Sequence, residues 1–123
     1  MSDAKKILIA RYPGLLSGID ESGGFNIGDG WIPLLEGLLY GLQWEIDGFP
    51  ELDRPQFVVS CVKEKFGGLR VYMPVKTQAM QDLILHSEGK SHTICERCGA
   101  PGKPGLRGYW TKTYCEPCFA AKK

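Results

Sequence analysis

Two short cysteine pairs constrain the fold of this chain more than any other feature. Cys95 and Cys98 form one C-x-x-C motif, Cys115 and Cys118 form a second, and 16 residues separate the motifs. Two such knuckles that close on one ion supply the four soft, tetrahedral ligands that Zn²⁺ prefers. Four sulfur ligands leave no open position for a catalytic water. The spacing therefore predicts a structural zinc site, and an iron ion held by the same thiolates is an open alternative.

Other roles for cysteine fit this chain less well. Disulfides are typical of secreted chains, but the N-terminus stops being apolar too soon for a secretory signal, and the cysteine count of five is odd. A redox C-x-x-C would be a single motif that follows a strand. Cys61 is expected to be a buried, unreactive strand residue. Gly99, directly after the first knuckle, is expected to adopt the positive φ that turns amides toward the thiolates.

Charge divides unevenly along the chain. Residues 1–89 carry 12 acidic and 8 basic side chains, whereas residues 90–123 carry 2 acidic and 7 basic ones, and the whole chain has a net charge of +1. A basic tail indicates either an anionic partner or attraction between the two halves. No apolar run approaches the roughly 18 residues that cross a bilayer. Membrane, collagenous, disordered and secreted classes are therefore excluded.

Apolar residues at helical spacing predict the main core helix. They lie on one face over 31–46: Trp31, Leu34, Leu35, Leu38, Leu39, Leu42 and Ile46. Asp29 can cap this helix, and Pro33 lies in its first turn, where a missing N–H costs least. Gly48 and Pro50 end it.

Weaker signals place the remaining elements of the body. Asp3 can cap a short helix over 3–11, and the glycine-rich stretch 14–30 is predicted to be a loop. Thr77 can cap a second principal helix that runs to about His86. Its expected inward residues are Met80, Leu83 and Ile84.

Two β-rich runs, 56–66 and 69–75, are predicted to form a hairpin with Gly67-Gly68 as its two-residue turn. The expected pairs are Phe66 with Leu69, Lys65 with Arg70, Lys63 with Tyr72, and Cys61 with Pro74. One face of the hairpin then carries Lys63, Lys65, Arg70 and Tyr72. This face is a candidate binding site for an acidic protein surface or a phosphate. The alternative is neutralisation by acids of the helix region, namely Glu45, Asp47, Glu51 and Asp53.

The tail alternates basic and aromatic side chains between the knuckles. They are Lys103, Arg107, Tyr109, Trp110, Lys112 and Tyr114. Zinc ribbons of this composition bind nucleic acid by phosphate contact and base stacking. The alternative is that Trp110 packs back on the body and anchors the segment 99–108, which is predicted to be a loop. We expect the packed Trp110 and leave the role of the basic residues open.

Catalytic motifs are lacking. The interval 99–114 contains no His, Asp or Glu, and the chain has no P-loop, serine-nucleophile elbow or deaminase pattern. His86 and His92 stand in no motif. The sequence therefore disfavours an enzyme and predicts no small-molecule substrate.

Several segments, in order, resemble a group of small bacteriophage and bacterial proteins. They are Gly28-Asp-Gly-Trp31, Lys63-Glu-Lys-Phe-Gly-Gly-Leu-Arg-Val-Tyr72, Cys95-Glu-Arg-Cys-Gly-Ala-Pro-Gly102, Trp110 and the closing Cys-x-x-Cys. The resemblance spans roughly residues 12–118, and Lys-Glu-Lys-Phe-Gly-Gly-Leu-Arg is its most specific piece. It implies a phage, prophage or mobile-element setting in the cytoplasm, and it brings no chemistry with it. The last metal ligand in such proteins is sometimes His, whereas Cys118 stands here.

These observations predict an α+β fold. Two principal helices pack on a small antiparallel, hairpin-based sheet in a body of residues 1–90, and residues 91–123 form a zinc-ribbon-like tail docked on it. The leading function hypothesis is a non-enzymatic, zinc-stabilised protein that binds a protein partner as an inhibitor, an immunity-type factor or a phage accessory factor. A nucleic-acid-binding zinc ribbon is the first alternative, and an unrecognised hydrolase or nuclease is the second.

Overall fold

The structure is a computed structural model that describes residues 1–19 and 23–121, and over these residues it confirms the α+β class. The elements in chain order are α1 (Asp3–Arg11), β1 (Phe25–Asn26), α2 (Ile32–Asp47), β2 (Cys61–Lys65), β3 (Gly68–Tyr72), α3 (Gln78–Ser91), β4 (Lys103–Arg107), β5 (Trp110–Tyr114) and α4 (Glu116–Ala120). Short 3-10 segments cover Asp29–Trp31 and Glu51–Gln56. None of the helices in the described ranges is long and apolar enough to cross a membrane.

The core forms where α2 packs against α3 and α3 against β3. The predicted apolar face of α2 is confirmed, because six of its seven residues are buried and only Leu34 is half-buried. Burial of each such leucine stabilises the fold by about 1.5–3 kcal/mol relative to an exposed position. This face packs on α3, which in turn packs on β3, and through Trp31 it also contacts the tail.

The helix ends differ from prediction in three places. The N-cap of α1 is Ser2 rather than Asp3, since the Ser2 hydroxyl accepts a hydrogen bond from the Lys5 N–H. Asp29 does not cap α2; it opens the 3-10 segment that precedes it. Thr77 caps α3 as predicted, but α3 continues beyond His86 to Ser91. The extension was missed because its inward residues are serines, which carry no apolar periodicity.

Three strands make the body sheet, in the order β1-β2-β3. β2 and β3 are antiparallel as predicted, but β1 joins β2 in parallel through Phe25, opposite Val62. β1 lies in the stretch 14–30, so the prediction of a continuous loop there was wrong. A strand of two residues is too short to show alternation. Asp20 and Glu21 of that stretch lie outside the described residues.

The hairpin register is shifted by two residues from the predicted one. Phe66 and Gly67 form the turn, with φ of 54° and 80°, and Lys65 pairs with Gly68. Gly68 is needed inside the strand because a Cβ there would lie 2.9 Å from His92 Nε2. The observed pairs are Lys63 with Arg70 and Cys61 with Tyr72. A shift of two preserves the faces, so Lys63, Lys65, Arg70 and Tyr72 still share one side of the sheet. Cys61 is half-buried rather than buried.

The tail forms a second hairpin, in which β4 and β5 pair from Lys103 opposite Tyr114 to Arg107 opposite Trp110. β4 occupies half of the segment 99–108, so the prediction of a continuous loop there was wrong. The prolines and glycines of this segment indicated a loop, but they are compatible with β4. Both strands of a two-stranded sheet are edge strands, where a missing N–H is tolerated.

Candidate metal centre

The four predicted ligands meet at one point. The Sγ atoms of Cys95, Cys98, Cys115 and Cys118 all lie within 4.8 Å of one another. Cys98 Sγ and Cys115 Sγ are 3.6 Å apart. A tetrahedral ion with metal–sulfur bonds of about 2.3 Å requires sulfur–sulfur edges of about 3.8 Å. All five cysteines of the chain lie in the described part and are free. The cluster is therefore consistent with a bound metal ion.

Each knuckle is shaped by its backbone. In the first, Gly99 has a φ of 81°, as predicted, and its N–H donates to the Cys95 carbonyl oxygen at 2.9 Å. In the second, Cys115 follows β5 and is the N-cap residue of α4, and the Phe119 N–H donates to the Cys115 carbonyl oxygen at 3.0 Å. One knuckle thus ends in a left-handed glycine and the other in a helical turn.

The amides of both knuckles favour negative charge at Cys95. Burial by itself would raise the pKa of this thiol, but hydrogen bonds from the backbone of Cys115, Cys98 and Arg97 outweigh burial and lower the pKa to about 6. The neighbouring Cys115 side chain raises the pKa of Cys118 to about 12. Negative charge is thus favoured on Cys95 and disfavoured on Cys118, an imbalance that a bound cation would relieve.

Two arginines flank the cluster. The guanidinium groups of Arg97 and Arg107 lie 5.8 Å and 5.7 Å from the centre of the Tyr114 ring. Arg107 also donates to the carbonyl oxygens of Cys118 and Ala121. It therefore fastens the end of α4 to β4, close to the negative charge that four thiolates would carry.

The first knuckle rests on the 3-10 segment before α2. The Gly30 N–H donates to the Glu96 carbonyl oxygen at 2.8 Å, and the Gly28 N–H donates to Glu96 Oε2 at 2.9 Å. Trp31 Nε1 donates to the Ile94 carbonyl oxygen at 2.8 Å. The indole of Trp31 is fully buried, so this residue belongs both to the core and to the tail contact.

Glu96 is a buried carboxylate inside the first C-x-x-C motif. Burial raises its pKa, against the opposing effect of the Gly28 N–H. Its second oxygen, Oε1, has no hydrogen-bond partner among the described residues. The corresponding residue of the second motif, Glu116, is exposed. The likeness of the two motifs in sequence therefore does not extend to the environment of their glutamates.

β5 rests on the turn of the body hairpin. Thr113, which is fully buried, donates from Oγ1 to the Gly67 carbonyl oxygen at 2.6 Å. Lys112 Nζ donates to Glu64 Oε1 at 2.7 Å, and Glu64 Oε2 accepts from the Gly67 N–H at 2.8 Å. Burial lowers the pKa of Lys112, but the ion pair with Glu64 outweighs that effect and raises it.

The seven candidate partner-binding residues fall into two groups. Lys63, Lys65, Arg70 and Tyr72 lie together on the body sheet, with Lys63 Nζ 5.2 Å from the centre of the Tyr72 ring. Arg70 lies near Glu88 of α3 and not near any of the four acids named as alternatives. Lys103, Arg107 and Lys112 lie on the tail hairpin; the latter two bind within the protein, and Lys103 is exposed.

Trp110 does not pack on the body. Its side chain is 73% exposed, so the prediction that it anchors the tail was wrong. Trp110 lies at the far end of the tail hairpin, next to the Gly108-Tyr109 turn. Trp31, Glu64, Glu96 and Thr113 make the contacts that were expected of it. Trp31, Glu64 and Glu96 stand in the segments that carry the resemblance, but nothing in the local sequence assigned any of the four residues to these contacts.

No family model, no curated protein and no solved structure matches this chain.

Proposed function

We propose that this protein is a non-enzymatic, zinc-stabilised binding protein that acts on a protein partner. The four-thiolate cluster, with no histidine or carboxylate among its ligands, supports a structural Zn²⁺ ion. The resemblance to small phage and bacterial proteins supports a phage, prophage or mobile-element setting in the cytoplasm. In that setting the protein acts as an inhibitor, an immunity-type factor or an accessory factor.

The observation that carries the proposal is the tip of the tail hairpin, which we define as Leu106, Tyr109 and Trp110. Their side chains are 75%, 100% and 73% exposed. Trp and Tyr dominate the energetics of protein interfaces because they bury a large area at a small cost in side-chain entropy. The hairpin that carries them is held at its other end by the cysteine cluster. The tip is therefore a preorganised, apolar contact surface.

A nucleic-acid ribbon is the second candidate. Arg97, Arg107, Trp110, Lys112 and Tyr114 line a shallow groove of about 310 Å³ on the tail. Cations and aromatics in one groove are typical of single-strand binding. Lys112 is paired with Glu64, however, and Arg107 is bonded to α4. These cations are therefore less available to phosphates than the sequence pattern implies.

A photo-crosslinking amino acid at position 109, introduced in the native host cell, tests the proposal. We expect a discrete adduct with one protein. The same amino acid at Leu52, which is 94% exposed on the body, is the matched control and should give no such adduct. Leu106→Ser together with Trp110→Ser should abolish the adduct at 109. Adducts with nucleic acid alone would favour the second candidate, and equal adducts at both positions would contradict the proposal.

A further inference from the structure

A groove lies between β3 and α3, on the side of the body that carries Lys63 and Lys65. Its volume is about 470 Å³. Its walls combine apolar and charged side chains, among them Arg70, Tyr72, Met73, Lys76, Leu85 and Glu88. Sites of this size that mix apolar walls with a few polar groups are typical of ligand and peptide binding.

The guanidinium group of Arg70 lacks hydrogen-bond partners within the described protein. A guanidinium carries five N–H donors, and buried polar groups are nearly always hydrogen-bonded. Within the described ranges, the Arg70 side chain donates no hydrogen bond, and its Nε is buried without a partner. Its nearest acid is Glu88, with Nη2 and Oε2 3.7 Å apart, which is too long for a hydrogen bond. A half-exposed arginine whose side chain donates no internal hydrogen bond is suited to donate to a carboxylate of another molecule.

The backbone of β3 offers a second attachment. In the described sheet β3 is an edge strand, because the order is β1-β2-β3. The Leu69 N–H points away from β2 and donates to Ser91 Oγ at 2.9 Å. Alternation along an antiparallel ladder directs the N–H and C=O of Val71 the same way, and Val71 lines the groove. An open strand edge can pair with an added strand.

We propose that this groove binds an extended, acidic segment of a partner protein, which pairs with the edge of β3 at Val71 and places a carboxylate on Arg70. Lys63 lies opposite Arg70 in the sheet, Lys65 lies on the same face, and Lys76 lines the groove; among the described residues of its lining, Glu88 is the one acid. A free phosphate would use neither the strand edge nor the apolar wall formed by Met73 and Leu85. The inference rests on the proposed function in one respect, namely that the partner is a protein.

Binding of short labelled peptides to the full, metal-loaded chain tests this inference. The probe is a fluorescein-labelled peptide of alternating valine and glutamate, and the controls are valine–glutamine and valine–lysine peptides of equal length. We expect fluorescence anisotropy to show binding of the glutamate peptide only. Equal binding of the glutamine peptide would overturn the role of the carboxylate. Binding of an oligothymidylate, or full displacement of the peptide by inorganic phosphate, would identify a general anion site and overturn the inference.

Two variants locate the binding. Arg70→Gln should weaken the glutamate peptide by about tenfold or more, as expected for the loss of a charge-assisted contact. Lys90→Gln, which makes the same charge change at an exposed position of α3, should weaken it less than about twofold. Glu88→Gln removes the internal acid that competes for Arg70 and should tighten binding several-fold. Arg70→Gln behaving like Lys90→Gln, or weaker binding by Glu88→Gln, would overturn the inference.

Failure of this inference can be told from failure of the proposed function. If a protein crosslinks at position 109 and its affinity is unchanged by Arg70→Gln, the groove is not its binding site although the protein-binding function stands. If the glutamate peptide binds in an Arg70-dependent way but no protein crosslinks at position 109, the groove inference stands and the role of the tip fails.

Discussion

Glycines determine how closely the tail approaches the body. A Cβ at Gly30 would lie 2.2 Å from the Cys95 carbonyl oxygen and 2.6 Å from the Glu96 carbonyl oxygen. A Cβ at Gly28 would lie 2.4 Å from the Glu96 carbonyl oxygen. Backbone atoms cannot swing aside as a flexible side chain can. Any larger residue at these positions therefore separates the first knuckle from the 3-10 segment that supports it.

Gly30→Ala and Gly37→Ala form a matched pair that tests this point. Gly30→Ala should lower the free energy of unfolding by about 1–3 kcal/mol, because the added methyl group overpacks the contact with the knuckle. Gly37 lies exposed in α2 with no atom within 4 Å of an added Cβ. Gly37→Ala should therefore raise the free energy of unfolding by about 0.5–1 kcal/mol through helix propensity. Urea denaturation measures both changes, and a neutral Gly30→Ala would contradict the close approach.

The sequence singled out the right short segments but not their roles. Gly28-Asp-Gly-Trp31 was assigned to the start of α2 and the Lys-Glu-Lys-Phe-Gly-Gly segment to the body hairpin, whereas in the structure both also support the tail. The partners of Gly28 and Gly67 lie 68 and 46 residues away in sequence. Local pattern carries no information on contacts between such distant residues. The cysteine ligands could be predicted because their chemistry and spacing are themselves local.

At the scale of elements, the tail hairpin lacks a hydrophobic core of its own. Among the described residues, the main apolar cluster runs from Leu8 to Ile84 and includes no buried side chain of β4, β5 or α4. The tail has one ring contact of note, between Tyr114 and Phe119, whose centroids are 5.2 Å apart. A hairpin and one helical turn with so little burial need a further constraint. A metal ion at the four cysteines would supply it.

Metal content and the cysteine variants test this requirement. The purified protein should contain about one equivalent of Zn²⁺ by elemental analysis, and a strong chelator should remove it together with the tail structure. Cys118→Ser should lower the metal content toward zero. Cys61→Ser, in β2 and outside the cluster, should leave it unchanged. Protein that holds no metal and contains two disulfides would contradict the prediction.

Prediction of the elements succeeded where the apolar period was long. α2 shows four turns of apolar spacing, and its buried face was predicted nearly complete. The predicted end of α3 was too early because Ser87 and Ser91, although buried, are polar and do not continue the apolar pattern. The hairpin register was wrong because two adjacent glycines allow two turn positions. Contact with His92 and Thr113 decides between these positions, and neither contact is visible in local sequence.

At the scale of the whole molecule, two sets of side-chain contacts among the described residues place the cysteine knuckle and the tail hairpin on the body. One joins Glu96 and Ile94 to the segment before α2, and the other joins Lys112 and Thr113 to the body hairpin. The first set is made by the first cysteine knuckle and the residue before it. Loss of a metal at the four cysteines should therefore loosen the structure at the start of α2, while the middle of α2, which is buried against α3, stays folded. The division of the chain near residue 90 remains a prediction of separable units.

Hydrogen exchange in Cys95→Ser tests this division. The amides of Gly28 and Gly30, which donate to Glu96, should lose protection by about tenfold or more, as expected when a contact of about 1.4 kcal/mol is lost. The amides of Leu38 and Leu39 in α2 should keep their protection. Equal loss at all four positions would show that tail and body form one cooperative unit. Unchanged Gly28 and Gly30 would show that the knuckle holds its place without the metal.

The distribution of charge over the whole molecule predicts weak binding to nucleic acid. The basic tail lies against an acidic body, within a few Debye lengths of about 8 Å at physiological salt, so its field is partly cancelled. Two of its cations, Arg107 and Lys112, are bound internally, and Lys122 and Lys123 lie outside the described residues. We therefore expect dissociation constants weaker than about 10 μM for duplex and single strands at ~150 mM salt.

Salt titration of the wild-type chain and of a triple variant at Lys103, Arg107 and Lys112 decides the matter. If these residues contacted phosphates, the log–log slope of affinity against salt would fall by about 0.9 for each contact removed on duplex DNA, or about three in all. We expect almost no change in slope, because Lys112 is held by Glu64 and Arg107 by the Cys118 carbonyl oxygen. A triple variant at Lys5, Arg11 and Lys90, which lie on the body and outside the proposed groove, makes the same charge change and serves as the control. Submicromolar binding that only the tail variant abolishes would instead establish a nucleic-acid ribbon, since the tail cations would then have left their internal partners for phosphate.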